Sequence, residues 1–161
     1  MIGFISTLFA RGEPAVSDAT ARDAAAIAAL HAASFRRGWS EQEVETLLLD
    51  RAVIGHRVTI ANKVTGFIMS RKAADEAEIL SVAVNARQRG RGLARNLLTL
   101  HLRRLAGLGA RTVFLEVDEN NAPALRLYDR AGFREVGRRP NYYPAAGRKT
   151  ATALVLRRDL T

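Results

Sequence analysis

The sequence predicts an α/β domain built on a mixed sheet of roughly six or seven strands. Three observations carry that expectation. Runs rich in Val, Ile, Leu and Thr alternate along the chain with stretches whose apolar residues recur at i, i+3 and i+4. Pairs of such runs near the middle and near the end lie close enough to form antiparallel hairpins. No repeat, linker or low-complexity tract divides the 161 residues, so residues 16–161 read as one domain behind an extension of residues 1–15.

Each element has a local reason. Val16 to Ala19 reads as a short first strand. Thr20 is an N-cap with Asp23 in the first turn, and the helix it opens runs through Ile27 and Leu30 to Phe35. Phe35-Arg36-Arg37-Gly38-Trp39 breaks that helix. Ser40-x-x-Glu43 is a capping box that opens a second helix through Val44, Leu47 and Leu48. Val53 to Ala61 and Val64 to Arg71 are strands joined by a tight turn at Asn62-Lys63, and Lys72 to Ala77 is a polar turn. Ile79 to Val84 is an apolar, buried strand. Leu93, Leu97, Leu98, Leu102 and Leu105 fall at helical spacing, with Gly107 or Gly109 as the stop. Thr112 to Val117 is a strand and Asp118 to Asn121 a turn. Ala122 to Ala131 is a helix with Pro123 in its permissive first turn and Gly132 at its end. Phe133 to Arg139 and Thr150 to Arg157 close the sheet around a loop, Pro140 to Arg148, that carries Asn141, Tyr142, Tyr143 and Pro144.

Composition removes several classes. The chain is 48% apolar and 25% charged, which is ordinary for a folded domain. It has no cysteine, which excludes disulfides, thiolate metal sites and a cysteine nucleophile. His31, His56 and His101 have no metal-ligand spacing and read as structural or surface residues, so no metal is expected. Met1 to Ala10 is apolar but lacks a basic leader and is far below the ~20 residues of a membrane span, so a cytoplasmic location without membrane contact is the expectation. The net charge of +9 suits a nucleic acid, an anionic cofactor or an acidic partner. No zinc finger, helix-turn-helix or aromatic-rich binding strand supports the first. A monomer or weak dimer is expected.

The chain is organised around the strand ending at Val84, the turn Arg87-Gln88-Arg89-Gly90-Arg91-Gly92 and the helix that begins at Leu93. A strand, a Gly-rich turn and a helix start expose backbone N–H groups that lack internal partners and can seat a phosphate. A dinucleotide fingerprint does not fit, because Gly90 lies six residues beyond Val84 and Arg95 stands where a third glycine belongs. The triphosphate loop Gly-x-x-x-x-Gly-Lys-Ser/Thr is absent. A plain tight turn with solvated arginines remains the alternative.

The pattern Arg87-x-x-Gly90-x-Gly92-Leu93-Ala94 resembles the pyrophosphate motif of the GCN5-related N-acetyltransferases (GNAT). The likeness extends to Phe114-Leu115-Glu116-Val117, to Asn120-Asn121-Ala122-Pro123-Ala124-Leu125-Arg126-Leu127-Tyr128 and to Gly132-Phe133, which are similar to the second signature of the RimI-type branch. Those are ribosomal-protein alanine N-acetyltransferases. Arg138-Arg139-x-Asn141-Tyr142-Tyr143-Pro144 and the Phe35 to Ser40 segment also resemble that branch, so the likeness spans roughly Val16 to Leu156. It implies the GNAT fold: a mostly antiparallel sheet, about four helices, and a splayed central strand pair that binds the acyl cofactor. It implies acetyl-CoA (coenzyme A) as cofactor, with the pyrophosphate cradled by Arg89, Gly90, Arg91, Gly92, Leu93 and Ala94. The pantetheine arm would lie along Val82, Ala83 and Val84 and touch Asn121. Trp39, Tyr142 and Tyr143 would shape the peptide site. Arg87, Arg89, Arg91, Arg95, Arg103 and Arg104, with no acid between Asn85 and Leu105, suit such a polyanion, although some must be solvated surface.

Acyl transfer from a thioester to an amine needs a base for the amine and a proton for the thiolate. Glu116 is a carboxylate in an otherwise apolar strand, pointing away from Val113, Leu115 and Val117. A salt bridge to a nearby arginine is the alternative explanation for it. Tyr128 lies on the following helix, where a half-buried structural tyrosine is the alternative. Trp39 has the alternative of a hydrophobic staple near Val44. The resemblance implies Glu116 as general base acting through water and Tyr128 as general acid.

At pH 7 roughly one α-amine in ten is neutral against well under one lysine in a thousand, a difference of ~3.5 kcal/mol, so one glutamate suits an N-terminal acceptor better than a lysine. The expected partner is therefore a protein N-terminus, with a small-subunit ribosomal protein implied by the branch. One departure bears on it. Where the branch has Gly-Arg-Glu-Asp, this chain has Gly147-Arg148-Lys149-Thr150, and Arg134 to Asp159 holds seven basic against two acidic residues. Such charge disfavours a basic peptide and suits ribosomal RNA or an acidic acceptor. The competing classes are a GNAT enzyme for lysine or a small amine, for which only Asp75, Glu76 and Glu78 offer an acidic cluster, and a non-enzymatic basic RNA-binding or interaction domain.

Overall fold

The computed structural model describes residues 12–144 and 150–160, and the side chains of all of these except 142–144 and 150. Seven strands form one sheet: β1 (Ala15–Asp18), β2 (Val53–Ile60), β3 (Lys63–Ala73), β4 (Glu76–Val84), β5 (Thr112–Asp118), β6 (Arg134–Pro144) and β7 (Thr150–Asp159), in the spatial order β1-β2-β3-β4-β5-β7-β6. Every pairing is antiparallel except β4 with β5. Four α-helices lie wholly within the described residues: α1 (Ala24–Ser34), α2 (Glu41–Leu49), α3 (Leu93–Gly107) and α4 (Ala122–Arg130). None of them is long and apolar enough to cross a membrane.

The helix starts follow the sequence chemistry. Ser40 Oγ accepts from the Glu43 N–H at 3.1 Å while the Ser40 N–H donates back to Glu43 Oε2 at 3.2 Å, closing the capping box of α2. The Thr20 N–H donates to Asp23 Oδ2 at 2.8 Å, but a short 3-10 turn over Ala21–Asp23 precedes α1. Asp23 is buried and ion-paired with Arg57 of β2, which ties this corner to the sheet.

Two cores lie on opposite faces of the sheet. Leu93, Leu97, Leu98, Leu102 and Leu105 of α3 and Tyr128 of α4 pack with Ile68, Ile79, Val113 and Leu115. Ile27 and Leu30 of α1 and Val44 of α2 pack with Phe67, Met69 and Ala83. Inside the α3 side runs a polar chain. His56 Nδ1 lies 2.7 Å from His101 Nδ1, His101 Nε2 lies 2.6 Å from Ser70 Oγ, and His56 Nε2 is 3.4 Å from Asp18. Burial, helped by the charge of His56, pushes the His101 imidazole down to about 3, and burial lowers His56 as well. These two histidines are structural.

Several boundaries differ from expectation. The β2–β3 turn is Ala61-Asn62, both at positive φ (51° and 63°), with Lys63 already in β3. The stretch Lys72 to Ala77 is mostly strand, and its turn is Ala74-Asp75. Pro140 to Pro144 belongs to β6 rather than to a loop. β6 is an edge strand, where proline's missing N–H breaks no ladder. Its register against β7 jumps between Arg139 and Tyr143, and Asn141 sits at φ 58°. Of the expected extension, residues 1–11 lie outside the described residues, Gly12 carries a carbonyl that accepts from Arg91, and Ala15 opens β1.

Candidate active site

β4 and β5 pair only from Glu76–Thr112 to Ile79–Leu115, yet both strands continue, to Val84 and Asp118. The reason lies on the other edge of β4. Against β3, Met69 faces Ser81 and Ser70 faces Ile79, so Leu80 is an extra residue. Such a bulge bends its strand and increases its twist. The bend falls at the rung where the β4–β5 ladder stops, and it turns β4 away from β5. A notch with an unpaired edge on each side results, at the carboxyl ends of the one parallel pair. That is where open α/β sheets place ligands. The bulge also changes phase. Ile79 and Val82, three residues apart, both face the α3 core. Met69 and Ala83 belong to the α1 core, so Ser81, paired with Met69, faces the α1–α2 side.

The Gly-rich turn sits directly beyond β4. Asn85 Oδ1 accepts from the Arg87 N–H, a 3-10 turn covers Ala86–Gln88, and Gly92 caps α3. Gly90 and Gly92 hold φ of 81° and 74°, and a Cβ on either would meet nothing within 4 Å. Glycine is therefore required there by backbone conformation, not by crowding. The first intrahelical bond of α3 is from the Asn96 N–H to the Gly92 carbonyl, which leaves the N–H groups of Leu93, Ala94 and Arg95 for an external acceptor. This donor set, on a fifteen-residue helix, suits a pyrophosphate. The arginines divide. Arg91 folds back onto Gln88 Oε1 (2.7 Å) and the Gly12 carbonyl (3.2 Å). Arg103 and Arg104 line a cleft with Asp18 and His56, about 15 Å along the helix from its start.

Glu116 is the first β5 residue beyond the ladder. Val113, Leu115 and Val117 face the α3–α4 core, so Glu116 faces the α1–α2 side. Its side chain is 21% exposed, and Oε1 lies 3.2 Å from the Arg139 guanidinium of β6. The ion pair weighed from the sequence is thus present, at the rim of the notch. Arg138 bridges Glu119 and Glu135 beside it. Tyr128 is on the opposite face, 7% exposed within the α3–α4 core, its ring edge-on to Phe133 at 5.6 Å. The Glu116 carboxylate is thus at the rim of the notch on the α1–α2 face, and the Tyr128 phenol is on the other face of the sheet, on the helix that follows β5.

The remaining candidates scatter around this centre. Trp39 stacks on His31 at 4.0 Å, its backbone N–H donates to His31 Nδ1, and it packs on the α1–α2 core that holds Val44. It stands between α1 and α2, on the face of Glu116. Asn121 caps α4, its Oδ1 accepting from the Ala124 N–H at 3.2 Å. Tyr142 lies within the register jump of β6 and Tyr143 resumes the ladder after it; the side chains of both lie outside the described residues, as do Arg148 and Lys149 altogether. Asp75 and Glu76 sit at the closed end of the β4–β5 ladder, and Glu78 pairs with Phe114, one rung before the last. Sequence reasoning missed Arg139 as the partner of Glu116, Leu80 as the bulge, and Ser81. For Ser81 the signal was available: a polar residue in an apolar strand.

The profile of the Acetyltransferase (GNAT) family matches residues 24–133. The ribosomal protein bS18-alanine N-acetyltransferase of Escherichia coli is 34% identical over 119 residues, which span 73% of this chain and 80% of that protein. The enzyme of the same name from Salmonella typhimurium is 36% identical over 101 residues, 62% of this chain and 68% of its own. Among solved structures, the crystal structure of the Escherichia coli ribosomal-protein alanine N-acetyltransferase superposes with a TM-score of 0.87 at 26% identity, covering 92% of this chain and 95% of that one. Ard1 from Thermoplasma volcanium superposes with a TM-score of 0.83 at 24% identity, covering 92% and 98%. The notch, the loop before α3 and these likenesses agree, and the chain belongs to the GNAT acetyltransferase family.

Proposed function

We propose that this protein transfers the acetyl group of acetyl-CoA to the N-terminal α-amine of a protein, with a ribosomal-protein alanine as acceptor. The observation that carries the reading is the notch between β4 and β5 with Glu116 at its rim, and Tyr128, on the helix that follows β5, is assigned its other side. Acetyl-CoA supplies an activated acyl group on sulfur. The loop N–H groups from Arg89 to Ala94 bind its pyrophosphate, and the free edge of Val82 to Val84 takes its pantetheine arm as a missing strand. The acceptor enters from the α1–α2 face, past Trp39, Tyr142 and Tyr143. Glu116 takes a proton from the α-ammonium through water. As the new N–C bond forms, the C–S bond breaks and Tyr128 protonates the departing sulfur. Glu116 passes its proton to solvent and relays the second nitrogen proton the same way, and Tyr128 regains a proton from solvent, so one proton is released per turnover. The named activity of the Escherichia coli and Salmonella typhimurium relatives supports the acceptor class. The +9 charge supports work beside ribosomal RNA.

The test is acetyl-CoA-dependent acetylation of a peptide panel read by mass spectrometry. Modification only of an unblocked N-terminal alanine peptide is expected. Modification of the same peptide when its N-terminus is blocked and its lysines are free would move the acceptor to lysine. Preference for an acidic peptide would mean that the basic β6–β7 end has redirected acceptor choice.

A further inference from the structure

Among the described residues, Ser81 Oγ is the one buried side-chain polar atom without a hydrogen-bond partner. Its place makes that informative. Ile79 and Leu115 form the last rung of the β4–β5 ladder. Leu80 is bulged out, so in the ladder with β3 the next residue of β4 is Ser81. The next residue of β5 is Glu116. Ser81 and Glu116 therefore hold corresponding positions on the two lips of the notch, and both face the α1–α2 side. Ser81 is 6% exposed. A buried hydroxyl without a partner costs about 1–3 kcal/mol, and folds seldom keep one unless something else satisfies it. On one side of Ser81 lies β3; on the other lies the notch, which no strand fills. A serine hydroxyl has three staggered positions about χ1, so a rotation exchanges its present seat for the open side.

We propose that the Ser81 hydroxyl is the second polar anchor for the attacking amine, forming with Glu116 a two-point seat on the acceptor face of the notch. This deepens the α-amine reading and rests on it. Once a primary ammonium has lost one proton toward Glu116, it keeps two N–H groups and one lone pair. Attack requires the lone pair to point across the notch at the acyl carbon. Two acceptors then fix the nitrogen: the Glu116 side through its water, and Ser81 Oγ. The hydroxyl exchanges no proton in this role. It orients the nitrogen, and its own satisfaction comes with the acceptor. Arg139, already bonded to Glu116 at 3.2 Å, steadies the other anchor.

The experiment compares full-length wild type, Ser81→Ala and Ser81→Thr on an N-terminal alanine peptide, with acetyl-CoA affinity by calorimetry and thermal midpoint for each. For Ser81→Ala the expected result is about a tenfold fall in kcat/KM for the peptide. Its affinity for acetyl-CoA is expected within about twofold of wild type, and its thermal midpoint unchanged or raised, because an unsatisfied hydroxyl has been removed. Ser81→Thr, which restores the hydroxyl, is expected to recover most of the activity. Wild-type kinetics in Ser81→Ala, or a Ser81→Thr enzyme no better than Ser81→Ala, would overturn the proposal while leaving the α-amine reading intact. If wild type itself acetylates no N-terminus, that reading fails and the anchor falls with it.

Discussion

Two serines lie within one rung of each other in the centre of the sheet and have opposite fates. Ser70 of β3 faces the α3 side, where its hydroxyl lies 2.6 Å from His101 Nε2 and His101 Nδ1 in turn lies 2.7 Å from His56 Nδ1. Ser81 of β4 faces the α1–α2 side and has no partner among the described residues. Both are buried, and both interrupt apolar strands. Around Ser70 the chain supplies every partner itself, from β2, β3 and α3. Around Ser81 the strand that would flank it has turned away. The difference separates polar groups that make the fold specific from those that wait for a ligand.

The largest effect belongs to the notch. Glu116→Gln keeps the shape and removes the base, and kcat should fall on the order of 10³-fold with acetyl-CoA affinity retained. Full turnover in that variant would move the base elsewhere and empty the comparison of its catalytic half. Tyr128→Phe should lower kcat on the order of 10²-fold by the same measurement, again with cofactor affinity nearly kept. Unchanged turnover would remove Tyr128 from the mechanism.

The Ser70 side predicts stability effects without catalytic ones. Ser70→Ala strands His101 Nε2 in the core and should lower unfolding free energy by about 1–3 kcal/mol in urea titration, with kcat per folded molecule unchanged. A loss of turnover without a loss of stability would reverse the assignment of the two serines. Acid gives a related measure. His101 titrates near 6.5 when unfolded and is pushed down to about 3 when folded, so between these values the unfolded chain binds the extra proton. Stability is full above 6.5 and declines as pH falls toward 3, by about 2 kcal/mol between pH 7.5 and pH 5 for this one residue. His56, lowered in the same direction, adds to the fall. A flat urea midpoint over that range would show that the histidine chain accepts a proton easily.

The sequence made the alternation of elements legible because their signals are local: the Ser40–Glu43 box, the leucine spacing of α3, Pro123 at the head of α4. It also pointed to Gly90, Gly92, Glu116 and Tyr128, residues whose types are odd or informative where they stand. What it hid is non-local. His56 and His101 touch across 45 positions. Arg139 reaches Glu116 only because β7 lies between β6 and β5. Pro140 reads as a loop until β6 is known to be an edge. Ala61 at φ 51° gives no sign of its turn, since alanine rarely adopts that conformation. Nothing in Ile79-Leu80-Ser81-Val82 distinguishes the residue that bulges, because the bulge is a relation between two strands and not a property of either.

Leu80 also sets how this chain can change and still work. It is a matter of count. Substituting Leu80 by another apolar residue leaves the count along β4 intact, so Ser81 still faces the α1–α2 side and Val82 the other. Deleting it leaves Ser81 to Val84 on the faces and opposite the β3 partners they have now, but removes the bulge and lets β4 run on beside β5, which closes the notch. A length change at this single point therefore tests the notch rather than the core, and a library that varies length along β4 should find at Leu80 a deletion that still folds but loses turnover.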